Sequence, residues 1–424
     1  MDGGGRPLLS ARGVIDAGLV YGAHGLRFLA PLLLYPVLTR RFGVEGFGLY
    51  VAAMSLATMV AVVVDYGASL SGPRDIATAR KAAGSIIGRM LALRAVLVLP
   101  AVGLGLWLGW INPVLDGAWA VVGAGIALGV GQGASLVWVL QGLREPGPAA
   151  LAEVAGTLAA AFLVMLSPGL GMAGALAVQA AGLWLGVGAG AGLMLRRVRL
   201  EWPGRGFVRR GLVEGGALFA SRAAVTAYTG AGGFVVAAMA GPGQAAIYAV
   251  ADKIVGAASS LMRPLAGLVG PRIAGLLAED APTAFRTARW SLIVTPGLFL
   301  GVAAGLWIAA PLLVRMLVGE GFGDAAGVLR TLVFVLPLVA ASQVLGLQLM
   351  TALRMDGRFA LMVGVGCVAT LGPAAVLAPT WGAQGMAWAR LIGEAVVVLT
   401  CLACLRPYWR ALFATVRGRH VPAV

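Results

Sequence analysis

The chain has 424 residues, 60% of them hydrophobic and only 12% charged, and its mean hydropathy of +0.91 leaves too little polar surface for an ordinary soluble fold. It reads as an all-α polytopic membrane protein, with 64 glycines available for close helix packing in lipid. The net charge of +15 does not point to nucleic acid, because the basic residues fall between apolar runs, where they set topology instead of forming a solvated patch.

In chain order, Arg6 and Arg12 precede a long apolar run without a small-residue cleavage site, so a retained first span is expected, not a removed signal peptide. About twelve transmembrane helices are expected, at 14–38, 46–64, 90–110, 118–140, 149–166 and 172–195, then 212–240, 244–269, 290–312, 326–350, 359–377 and 383–405. The expected organisation is a six-helix bundle over 1–195, a basic linker over 196–211, a second six-helix bundle over 212–405 and a tail over 406–424, with a central cavity between the bundles. Of the Lys and Arg residues, 22 fall in one set of connections and four in the other, which predicts cytoplasmic termini. The connections on the far side are short and offer no extramembrane domain for a catalytic site. The basic linker reads equally as a hinge or as a tether on anionic lipid.

An internal repeat underlies the two halves. Tyr50 and Gly72-Pro73-Arg74 recur 198 positions later as Tyr248 and Gly270-Pro271-Arg272. Late in each half, Pro168, Gly171, Gly174 and Gly182 recur 211 positions later as Pro379, Gly382, Gly385 and Gly393. Six spans per half give both copies one orientation, related by an axis along the membrane normal. Glycine ladders at Gly125, Gly129 and Gly133, and at Gly182, Gly186 and Gly190, read as packing faces. No Walker A sequence is present, so ATP is not the expected fuel. Cys401 and Cys404 lie in the last apolar run without a histidine nearby, and neither a metal nor any other cofactor is expected.

Six basic residues lie within or beside apolar runs: Arg27, Arg94, Arg222, Lys253, Arg263 and Arg390. A charge at such depth faces an interior or a cavity. Arg94 and Arg263 are close enough to a membrane face to snorkel. Arg222 lies ten residues into its run, about 15 Å deep, and Arg27 sits comparably deep in the first run beside Pro31 and Pro36. The carboxylates are Asp65, Glu153, Glu214, Asp252 and Glu394. Arg390 and Glu394 are spaced to pair along one helix, and adjacent Asp252 and Lys253 diverge by about 100°, which frees one for another partner. Glu153 and Glu214 are read as hydrated near the membrane edge, and His24 as a helix contact.

The stretch LLLYPVLTRRFGVEGFGLY followed by DYGASLSGPRDIA, together with AIYAVADKI from Ala246, resembles the bacterial polysaccharide-unit flippases, which share a superfamily with the multidrug and toxin extrusion transporters. The resemblance implies movement of an undecaprenyl-diphosphate-linked oligosaccharide across the bacterial inner membrane for surface polysaccharide synthesis. It also implies a cationic central cavity. Arg27 matches by position and Arg222 is assigned from depth; with Arg390 these are the candidate substrate-binding residues. Asp252, Glu394, Glu153 and Asp65 are the candidates for coupling to a proton or sodium ion. Further partners expected are the lipid bilayer, a polysaccharide polymerase and glycosyltransferases.

Two other classes remain open at this point. A drug or small-cation antiporter of the same fold would favour an acidic cavity, whereas the deep charges here include arginines. A membrane-embedded glycan ligase or acyltransferase would need a large outer loop or a catalytic histidine with polar partners.

Overall fold

The computed structural model describes the backbone at residues 11–143, 146–202, 204 and 206–413, with side chains throughout except at 11–32, 146, 149, 263, 264 and 268. Among these residues there are helices and no strands. Helix α1 (Ala11–Asp65) is broken at Gly43, where φ is 65° and ψ −171°. Beyond Tyr66 and Gly67, both at positive φ, the path resumes as α2 (Ala68–Thr78). Then follow α3 (Ala83–Ile111), α4 (Trp119–Gly133), α5 (Val137–Gly142), α6 (Pro146–Leu166), α7 (Met172–Leu195) and α8 (Phe207–Thr229). The remainder is α9 (Gly232–Ser260), α10 (Met262–Glu279), α11 (Ala281–Val318), α12 (Ala325–Leu332), α13 (Val335–Ser342), a π-helical turn at Gln343–Met350, α14 (Asp356–Cys404) and α15 (Trp409–Phe413).

Eight helical stretches are long and apolar enough to cross a membrane, and a further apolar helix, Ala150–Leu166, is shorter. Several hold more than one crossing length. A straight α14 would measure about 75 Å, more than twice the hydrocarbon core, and its break at Gly382 divides it into two halves of spanning length. The second expected span, ended at residue 64 by the sequence reading, continues through α2. Asp65 therefore lies at a break within an apolar path and not at its edge. The ninth, expected from residue 290, starts at Ala281, because Asp280 accepts a hydrogen bond from the Thr283 backbone N–H and caps the helix.

The chain forms two compact units. One comprises Ala53–Ala223 with the residues up to Arg41; the other comprises Phe42–Ala52 with the residues from Ala224 onward. In the first, the expected glycine ladders pack as read. A Cβ on Gly129 would lie 2.5 Å from the Ala57 carbonyl oxygen, and one on Gly156 would lie 2.2 Å from that of Gly182, so α4 lies on α1 and α6 on α7 at backbone contact. In the second unit, Gly241 interrupts α9 with φ 85° and ψ 172°, close to the conformation of Gly43 exactly one repeat earlier in register. Each break leads into a helix that buries its repeat tyrosine, Tyr50 or Tyr248. A Cβ on Gly48 would fall 1.9 Å from the Pro242 carbonyl oxygen, so the two repeated turns touch through a residue that tolerates no side chain. The core of this unit is apolar, with Ile273, Phe285, Leu345, Leu349, Met362 and Cys401 clustered.

Candidate functional site

Among the described residues each unit encloses a cluster of charged side chains, and each cluster sits where a helix breaks. Lipid offers no hydrogen bonds, so carbonyls freed by a break must be satisfied from within the protein. In the first unit the breaks are at Tyr66–Gly67 and between α4 and α5. Arg94, on α3, donates from Nη1 to the Ser135 carbonyl at 2.9 Å and from Nη2 to Asp65 Oδ1. The other oxygen of Asp65 accepts from Ser69 Oγ at 2.7 Å. Ser135 Oγ in turn donates to Glu153 Oε1 at 2.7 Å. The Arg94 guanidinium lies 5.1 Å from the centre of the Trp138 ring, within cation–π range. Trp138 can sit there only because residue 72 is glycine: a Cβ would lie 2.1 Å from its ring.

Arg222, on α8, approaches this network from a more open side. Its Nε is 3.7 Å from Asp65 Oδ2, and its side chain is 40% exposed against 9% for Asp65. Beside it Tyr66 and Phe219 stack with centroids 4.6 Å apart.

In the second unit the break is between α8 and α9. Arg390, on α14, donates from Nη1 to the Thr229 carbonyl at 3.1 Å. The same nitrogen is 3.6 Å from Asp252 Oδ1, and Nε is 3.6 Å from Glu394 Oε1. Glu394 is buried, whereas the Asp252 side chain is 39% exposed.

The expected candidates are thus brought together in two groups. Asp65, Glu153 and Arg222 share the first; Asp252, Arg390 and Glu394 share the second. Arg27 lies in α1, but its side chain, like those of His24 and Arg263, falls outside the described residues. Arg94, read as snorkelling, is buried and central, because α3 begins at Ala83 and puts a full eleven residues of helix ahead of it. Glu153, read as hydrated, is likewise buried, since Ser135 reaches it; Glu214 is exposed. The sequence reading missed Ser69, Ser135 and Thr229. Only Ser69 left a signal, four residues past Asp65 across the Tyr-Gly break. Among the described residues no group of three or more His, Cys, Asp or Glu side chains could hold a metal ion.

Solved structures share this fold. An inward-facing multidrug resistance transporter of the MATE family in the MOP superfamily matches with a TM-score of 0.69 at 17% identity, over 93% of this chain and 96% of that one. The lipid II flippase MurJ, in an inward closed conformation, matches with a TM-score of 0.71 at 11% identity, over 93% and 87%. Helices of spanning length that enclose buried charge, in the fold of these proteins, define a multi-span membrane protein.

The sequence narrows the class further. The family model described as polysaccharide biosynthesis protein matches residues 16–276, and the chain belongs to that family. Two relatives carry the name "Putative O-antigen transporter". The one from Escherichia coli (strain K12) is 23% identical over 80% of this chain and 83% of its own length. The one from Shigella dysenteriae is 22% identical over 92% and 98%. The resemblance drawn from the first two spans is borne out by both kinds of comparison.

Proposed function

We propose that this protein is a flippase that moves an undecaprenyl-diphosphate-linked oligosaccharide from the inner to the outer leaflet of the bacterial inner membrane, by alternating access across two six-helix bundles with both termini cytoplasmic. The observation that carries the reading is the half-exposed Arg222 guanidinium beside an Asp65 already bonded to Arg94 and Ser69. Asp65 leaves Arg222 incompletely neutralised, and a guanidinium fork compensates the desolvation of a diphosphate better than any other side chain. The prenyl tail stays in lipid. Arg27 and Arg390 are assigned to the same anionic cargo. The O-antigen transporter names of the relatives favour this cargo over a small organic cation, and the sugar units it carries would be supplied by glycosyltransferases and consumed by a polymerase.

The driving force in this reading is the membrane potential together with a proton or sodium gradient. Anionic cargo leaving a negative-inside cell gains about 2.3 kcal/mol per charge per 100 mV if the charge crosses uncompensated. Asp252 is the coupling residue: half-exposed, it can take up a cation, and its neutralisation removes one counter-charge from Arg390, 3.6 Å away. Glu394 and Asp65 are more enclosed and hold the arginines in place, and Glu153, also buried, is bonded to Ser135.

The test is reconstitution with a fluorescent prenyl-diphosphate disaccharide. Arg222→Ala is expected to lower the flipping rate at least about tenfold, with Arg222→Lys recovering part of it, since a point charge lacks the bidentate fork. Wild-type rates in Arg222→Ala would remove the residue from substrate binding. Faster export of organic cations than of the glycolipid would favour the antiporter reading.

A further inference from the structure

The linker after α7 is not a loose tether where the structure describes it. Beyond Leu195 the chain turns, with the Arg197 and Val198 backbone N–H groups donating to the Met194 carbonyl at 2.9 and 3.0 Å. It then runs along the first turns of α3. The Glu201 N–H donates to the Gly84 carbonyl at 3.3 Å. Gly84 and Gly88 are one helical turn apart on one face of α3, and a Cβ on them would lie 2.2 Å from the Arg199 carbonyl oxygen and 2.1 Å from that of Glu201. The two glycines make a track that fits a bare backbone and nothing larger. Val198 adds an apolar anchor against the cluster of Ile86, Ile87 and Met194.

Docking the linker in this way builds a cavity of about 490 Å³ at the surface of the first unit. Among the described residues its charged walls are Arg80, Lys81, Arg197, Arg199 and Glu201. Arg80 is held by a hydrogen bond from Nη2 to the Leu143 carbonyl at 3.2 Å. Arg80, Lys81 and Arg199 outnumber Glu201 among the described residues, an excess of positive charge that suits an anionic ligand, and guanidinium groups match the tetrahedral oxygens of a phosphate. The neighbouring surface is apolar. Trp202 is 90% exposed and Leu195 and Leu200 are also exposed, side chains at home at the boundary between headgroups and acyl chains.

We propose that this cavity is a binding site for the phosphate group of an anionic phospholipid, with Trp202 and Leu200 set against its acyl chains. It is separate from the two buried charge clusters and does not depend on the cargo assigned above. A lipid in the cavity would tie Arg80 and Lys81, ahead of α3, to Arg197 and Arg199 on the docked linker, so lipid composition would govern how firmly the linker is seated.

The probes are phosphatidylglycerol, phosphatidylcholine and soluble pyrophosphate, applied to the full-length protein in neutral detergent and followed by native mass spectrometry and thermal melting. The expected result is retention of one phosphatidylglycerol per chain with a higher melting temperature, and no such retention of phosphatidylcholine. Arg80→Gln should weaken retention about fivefold, and the combined Arg80→Gln, Lys81→Gln, Arg197→Gln and Arg199→Gln variant by roughly a thousandfold. Trp202→Ala should weaken phosphatidylglycerol and leave pyrophosphate unaffected. All these side chains are exposed, and melting in phosphatidylcholine, expected to match the wild type, checks folding; if the combined variant melts lower, the single Arg80→Gln and Arg199→Gln variants decide. Unchanged phosphatidylglycerol retention in those variants, equal retention of phosphatidylcholine, or binding of pyrophosphate without retention of lipid would each overturn the proposal.

Discussion

The two charge clusters are made from the same parts and finished differently. In each, an arginine projects from a helix to a carbonyl left open by a helix break, Arg94 to Ser135 and Arg390 to Thr229, and also reaches a carboxylate. Asp65 is closed off: one oxygen meets Arg94, the other Ser69, and the pair is buried. Asp252 is open, half-exposed and 3.6 Å from Arg390, a distance at which the attraction is Coulombic and no hydrogen bond is made. A carboxylate whose bonds are all made holds helices together. One that is half-exposed and loosely paired can exchange its partner for a cation, and that difference is the reason coupling is assigned to Asp252.

The largest effect that would break this contrast is on stability. Removing one member of a buried pair strands the other, at about 3–5 kcal/mol. Asp65→Asn and Arg94→Gln should therefore each lower the yield and melting temperature of the purified protein sharply, and a double-mutant cycle between them should show strong coupling. Asp252→Asn should melt close to the wild type. Equal losses at both carboxylates would dissolve the distinction between a closed and an open cluster.

The repeated glycines sharpen it next. Gly72→Ala drives a Cβ to 2.1 Å from Trp138 and unseats the ring that backs Arg94, an overpacking of about 1–3 kcal/mol. At the repeat-equivalent Gly270 the nearest atom to such a Cβ is Gln348 Cγ at 3.7 Å, ordinary contact. Gly270→Ala should then be neutral or stabilising by up to about 1 kcal/mol through helix propensity. Thermal melts of the two variants read this directly.

A transport measurement follows. In proteoliposomes an imposed potential alone should drive flipping by the wild type, and a proton or sodium gradient should accelerate it. Asp252→Asn should keep the potential-driven rate and lose the acceleration. Acceleration that survives in Asp252→Asn would move the coupling to another carboxylate, Glu394 first.

The smallest expected effect lies outside the clusters. The Thr283 side chain and backbone hydrogen-bond Asp280 at the start of α11 and hold its carboxyl below the usual carboxylate range. Because the folded value is depressed, the cap contributes above the ordinary carboxylate pKa and its contribution is lost as pH falls through the folded value. Asp280→Ala should lower the melting temperature slightly at neutral pH, and the difference from wild type should close on acidification.

Much of the fold was legible in the sequence because lipid imposes long apolar helices, and composition alone reveals those. The repeat was legible too: Tyr50 and Tyr248 are both buried, and Gly43 and Gly241, in the same register, break their helices alike. Spacing along one helix also placed Arg390 beside Glu394. What the sequence could not supply was which charges meet across helices. Arg94 reads as a residue near an edge until α3 is seen to start at Ala83, and Asp65 reads as the end of a span until α2 is seen to continue it. Ser135 and Thr229 matter through backbone carbonyls, which every residue carries, so no side-chain pattern could mark them. Those carbonyls become binding partners only where a helix breaks against another helix, and that is decided by tertiary packing, because only packing determines which arginine arrives to satisfy them.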